Sequence, residues 1–141
     1  KSPSLVTLSR LLAEAGFDLE VAPRIEFRAV TGVRGPEYFV PDRLWRLPIG
    51  QALATVTLPL TLNWSDPGRQ FRMARRSERA RVYEIVLREG AADDIRAYID
   101  GALLVDLWEE LVLPRDLRAA WTSVIVDSVV DNVGPASATA V

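Results

Sequence analysis

Apolar residues recur at helical spacing, and glycine or proline falls where a helix has to stop; together these decide what the chain can fold into. Leu5, Leu8, Leu11, Leu12 and Ala15 form one stripe over residues 2–16, and Gly16 is placed to end it. Ser2 is a candidate cap for the first amides, and Pro3 suits the first helical position, where no N–H is needed. A second stripe, Val82, Tyr83, Val86 and Leu87, lies between Ser77, read as its N-cap, and Gly90. A third starts at Asp93 or Asp94 and carries Ile95, Ile99, Leu103, Leu107 and Leu111 through Gly101, at about 1 kcal/mol against alanine. Pro114 closes that helix and opens a last one, with Leu117, Trp121, Val124 and Ile125 on one face. The predicted fold is mainly α.

The stretch 22–41 holds Pro23, Gly32, Gly35, Pro36 and Pro41, the densest run of breakers, and reads as a connector. Short strands are expected over Phe17–Val21 and around Ile25, Phe27 and Ala29, where apolar and charged residues alternate. Asp42 to Leu47 reads as one helical turn. A helix then runs from Pro48 to about Val56, followed by an extended segment to Trp64, since Pro59 breaks a strand ladder. Ser65–Gly68 is a turn. The expected organisation is a helix with an exit strand over 1–22, a connector over 23–47, a helical module over 48–131 and a flexible tail over 132–141.

With 141 residues, 49% hydrophobic and 26% charged, the chain has ordinary globular composition, and its net charge of −2 argues against coating nucleic acid by bulk charge. It has no cysteine and no histidine. Disulfides, thiolate nucleophiles and zinc–cysteine sites are thereby excluded, and the commonest general base is missing. Ser65 and Ser77 have no histidine to activate them, and Gly32-Val33-Arg34-Gly35 lacks the lysine and following helix of a phosphate loop. No enzyme, cofactor or metal site is predicted. With no run of about eighteen apolar residues and no secretory leader, the expected location is the cytoplasm. Lys1 enters a helix almost at once without a methionine, so an upstream segment is expected.

Two charged groups stand out. Arg69, Arg72, Arg75, Arg76, Arg79 and Arg81 straddle a helix start; they either contact phosphate, with Arg72, Arg75, Arg76 and Arg79 as candidates, or form a solvated face. From Glu89 to Asp131, ten acidic residues face three arginines. That surface either docks a basic partner or neutralises the arginine cluster within one module. Leu104 and Trp108 widen the third stripe beyond one buried side, and Asp106, Glu109 and Glu110 edge it. The five are candidate partner-binding residues, an apolar centre with a charged rim. The alternatives are plain core for Trp108 and surface charge for the carboxylates.

The phrase Pro3-Ser4-Leu5-Val6-Thr7-Leu8-Ser9-Arg10-Leu11-Leu12-Ala13-Glu14-Ala15-Gly16 resembles the closing helix of Cro/C1 (XRE)-type helix-turn-helix domains. The resemblance implies a bacterial transcription regulator whose groove-reading helices precede Lys1, so that DNA is bound through a segment outside this sequence and no DNA-contacting residue carries over. It further implies an antitoxin of a toxin–antitoxin pair, whose C-terminal region contacts a protein partner such as the toxin, or a second copy. The alternative is a stand-alone helical adaptor or scaffold without DNA binding. If the resemblance holds, Leu5, Leu8, Leu12 and Ala15 are buried, with the module, a second copy or a partner chain standing in for the absent helices. The helix detached, with that face in solvent, weighs against the assignment.

Overall fold

The computed structural model describes residues 4–17 and 24–138, with side chains to residue 132. Helix α1 (Leu5–Glu14) starts later than Ser2 predicted: Ser4 is the cap, its Oγ accepting from the Thr7 N–H at 3.2 Å. Its end is the one expected. Gly16 adopts φ 86°, a left-handed conformation that only glycine adopts without penalty. The Gly16 N–H then donates to Ala13 O (3.1 Å) and the Phe17 N–H to Leu12 O (2.8 Å), a Schellman closure. Ser2, Pro3 and, beyond Phe17, the strand expected over 17–21 lie outside the described residues.

The stretch expected to be a connector is instead part of the core. Strands β1 (Phe27–Thr31) and β2 (Glu37–Pro41) form an antiparallel hairpin, Phe27 opposite Pro41 and Thr31 opposite Glu37. Its glycines and prolines mark the turn and ends of a hairpin, not a linker. Tyr38 and Val40 point inward from β2 and are buried, whereas Ala29, expected inward, is exposed and Val30 half-buried. Residues 42–48 form an irregular strap where a helical turn was expected. Helix α2 (Ile49–Ala52) is shorter than predicted, because Thr55-Val56-Thr57 forms strand β3, paired antiparallel with β4 (Gln70–Arg72). β-Branched residues suit that pairing better than a helix. Pro59 sits after the strand, its carbonyl accepting from Leu62 and Asn63, which turns Leu58 and Leu62 into the core.

Helix α3 (Arg76–Glu89) starts ahead of Ser77; its N-cap is Arg75, with no side-chain cap. Val82, Tyr83, Val86 and Leu87 are buried as expected, joined by Ile85, and α3 packs against β2, β4 and α4. The predicted single helix from Asp93 to Leu111 is three pieces: α4 (Ala92–Tyr98), α5 (Gly101–Leu107) and a 3-10 turn, Trp108–Glu110.

Asp100 makes the break. Only 1% exposed, it caps α5 through Oδ2, which accepts from the Leu103 N–H at 3.1 Å. Its Oδ1 accepts from the Leu47 N–H (2.8 Å) and from Arg46 Nε (2.9 Å). The Asp100 N–H donates to the Tyr83 hydroxyl at 3.0 Å, and the Gly101 N–H to Trp45 O at 2.7 Å. The strap 44–47 is thus pinned to the α4–α5 joint. Gly101 is required there, since a Cβ would lie 2.5 Å from Trp45 O. Burial pushes the Asp100 carboxyl up, but the hydrogen bonds from Leu47, Arg46 and Leu103 outweigh it and hold the group below its ordinary value. Burial also pushes the Tyr83 hydroxyl up to about 12.

Helix α6 (Arg115–Ala138) opens after Pro114 and buries Leu117, Trp121, Val124 and Ile125, as predicted. It packs on β2, and its Asp116 Oδ2 accepts from the Val33 N–H at 2.7 Å in the hairpin turn. It continues through residues 132–138, where a flexible tail was expected. The architecture is mainly α, with two small two-stranded sheets among the described residues.

Candidate partner-binding surface

The apolar centre proposed for the partner surface is core. Leu104 is 0% and Trp108 6% exposed, and both join Leu117 and Trp121 in one hydrophobic cluster. The reason is Arg118, one turn into α6. Its guanidinium lies 4.9 Å above the Trp108 ring, its Nη1 donates to Trp108 O at 3.1 Å and its Nη2 to Leu111 O. One arginine thus seals the indole and satisfies carbonyls left open where the 3-10 turn ends. Ile95, Ile99, Leu104, Leu107 and Leu111 of the 95–111 stripe are buried in one cluster with the inward faces of α3 and α6.

The rim residues Asp106, Glu109 and Glu110 are exposed. Two of them meet the arginine cluster. Arg76 grips Glu110 with two bonds, Nη2 to Oε1 at 2.8 Å and Nε to Oε2 at 3.1 Å, and its Nη1 donates to Asp106 Oδ2. These hydrogen bonds, Glu110 first, strengthen Arg76's hold on its proton. At this point the acidic and basic faces neutralise each other, one of the two alternatives the sequence left open. Glu109 makes no ion pair among the described residues.

The phosphate candidates are not brought together as free guanidinium groups. Arg72 and Arg75 both reach Glu78 Oε2, at 3.2 and 3.7 Å. The Arg72 N–H also donates to Glu78, the main cause of that carboxyl's lowered value. Arg79 is 7% exposed, its Nη1 donating to Met73 O at 2.8 Å, so it is a core residue and cannot reach a phosphate. Helix α3 carries its own counter-charges, which sequence spacing alone does not orient.

Two faces remain uncovered. On α1, Leu5 (64%), Val6 (71%), Leu8 (38%) and Leu11 (55%) are exposed, as is Ala15, and Leu12 is half-buried. The expected burial of Leu5, Leu8 and Ala15 is therefore not met: the module does not cover this stripe. On α6, Val126, Val129 and Val130 are exposed on the side away from Val124 and Ile125. Sequence analysis of α6 gives its inward face alone; the i, i+3, i+4 spacing of these valines is the signal for the second face.

Among the described residues, no helix is long and apolar enough to cross a membrane, and no group of three or more acidic residues is arranged to hold a metal ion. Comparison with models of known protein families, with curated proteins and with solved structures finds no match.

Proposed function

We propose that this chain is the partner-binding part of a cytoplasmic Cro/C1-type transcription regulator of the antitoxin kind, acting by protein–protein contact. The observation that carries the contact half of this reading is the uncovered apolar stripe of α1. A capped, amphipathic helix with four large apolar side chains in solvent makes the kind of patch that soluble monomers avoid. The regulator half rests on the sequence phrase Pro3–Gly16, within which Leu5–Glu14 form a helix closed at Gly16. The Arg76–Asp106–Glu110 cluster and the core position of Trp108 leave α1, with the α6 valines, as the contact surface.

The exposure of α1 weighs against its being a closing helix, since such a helix needs companions. The reading holds only with that stripe covered by a partner chain, a second copy or an upstream segment. The same observation favours a second reading, a helical adaptor whose α1 is itself the docking element, with no DNA-binding head.

A gel-shift series tests the pair. The 141-residue chain should bind duplex DNA weakly, without sequence preference, and lose that binding steeply as salt rises. The chain extended by its upstream coding sequence should acquire a preferred sequence. A salt-tolerant preference in the 141-residue chain, or none in the extended one, overturns the regulator reading.

A further inference from the structure

We propose that the cleft between the 44–47 strap and α4 binds a small organic carboxylate with an apolar body. The cleft measures about 700 Å³, inside the range of about 300–1,000 Å³ over which proteins hold small molecules. Ile25, Leu44, Trp45 and Leu47 supply apolar wall, and Arg46 and Arg96 supply two cations against two carboxylates, Asp93 in the lining and Asp100, which Arg46 Nε already pairs. The cleft carries no net charge, so it is the donor fork of Arg46 and the guanidinium of Arg96 that would hold a monoanion, while Asp93 disfavours a dianion such as phosphate.

The cleft is built before any ligand arrives. Its strap wall is fixed by Arg46 Nε and the Leu47 N–H on the buried Asp100, and by the Gly101 N–H on Trp45 O. Gln51 Nε2 donates to Ala97 O at 3.0 Å, tying α2 to α4 across the cleft. Arg46 is held at its base, while its two terminal nitrogens have no partner among the described residues, and its side chain is 71% exposed. A guanidinium anchored through Nε and free at the fork presents parallel donors to a carboxylate without losing further rotamer freedom. Arg96 makes no ion pair among the described residues, so its charge is also available. Rigid apolar walls with a few fixed polar groups are what orient a small ligand. The site uses neither α1 nor Arg76, so it stands or falls independently of the partner-binding reading.

The test is a titration of the full chain with 3-phenylpropionate, followed by two-dimensional amide NMR. Saturable shifts should concentrate on residues 44–51 and 93–97. Its neutral analogue, 3-phenylpropanol, should bind at least about tenfold more weakly, as expected when a charge-assisted pair is lost. Arg96→Gln, which disturbs no ion pair among the described residues, should keep a dispersed spectrum and weaken phenylpropionate about fivefold. Shifts confined to α1 and the α6 valines overturn the proposal. So does equal binding of the alcohol and the acid, an unchanged affinity in Arg96→Gln, or inorganic phosphate binding as well as phenylpropionate.

Discussion

Replacing Asp100 with alanine should cost about 3 kcal/mol of folding stability. Three losses add up. The α5 cap is removed, worth about 1 kcal/mol. The Leu47 N–H is left without its acceptor in a part-buried setting, worth about 1–2 kcal/mol. Arg46 loses its partner, a small contribution because that side chain is 71% exposed and screened. Against a total of about 5–15 kcal/mol for a domain, the change is large. Urea unfolding at pH 7 should show a lower midpoint with an unchanged slope, the sign of altered stability rather than altered compactness. The pH dependence supplies a second reading. A carboxyl whose folded value is depressed contributes stability above its unfolded value, and that contribution is lost as pH falls through the folded one. The gap in stability between wild type and Asp100→Asn should therefore be widest near neutrality and close only once pH falls below the ordinary aspartate range, through the depressed folded value. A loss under about 1 kcal/mol for Asp100→Ala, or a gap that does not close in acid, refutes the assignment of the strap to this carboxylate.

Trp108→Ala should cost about 3–5 kcal/mol and lower the melting temperature, while leaving the sedimentation of the folded chain unchanged; a change in association at unaltered stability would restore Trp108 as a contact residue. Leu8→Glu should do the opposite, shifting stability by less than about 0.5 kcal/mol while abolishing association through α1. A marked loss of stability in Leu8→Glu, or identical association of wild type and variant, removes α1 as the contact surface.

What sequence reading reached and what it missed follow one physical line. Signals local to a few residues were legible: Gly16 and Gly90 ending helices, Pro114 opening α6, and the inward faces of α3 and α6. What depended on a distant partner was not. The run Ile95, Ile99, Leu103, Leu107 and Leu111 keeps its spacing across the break at Asp100, so periodicity alone reads one helix. An aspartate followed by glycine was the available cap signal. Trp108 looked like surplus apolar surface because its cover, Arg118 and the core face of α6, lies in another element. Arg76 reads as a free cation in the sequence because its counter-charges Asp106 and Glu110 sit 30 and 34 residues away. Glycine and proline mark turns within a core and linkers alike, so only the pairing of β1 with β2 distinguishes this hairpin from a connector.

The bond from the Val33 N–H to Asp116 joins groups 83 residues apart in the chain. On a ribosome adding about 5–20 residues per second, the hairpin turn waits on the order of ten seconds before the start of α6 reaches it. Throughout that interval Tyr38 and Val40 on β2 lack α6, one of the two helices that pack on that strand. A nascent chain therefore carries the hairpin without its α6 cover until that helix emerges. Until then the open side of the hairpin carries the mispairing hazard of any strand that waits on a contact of high sequence separation.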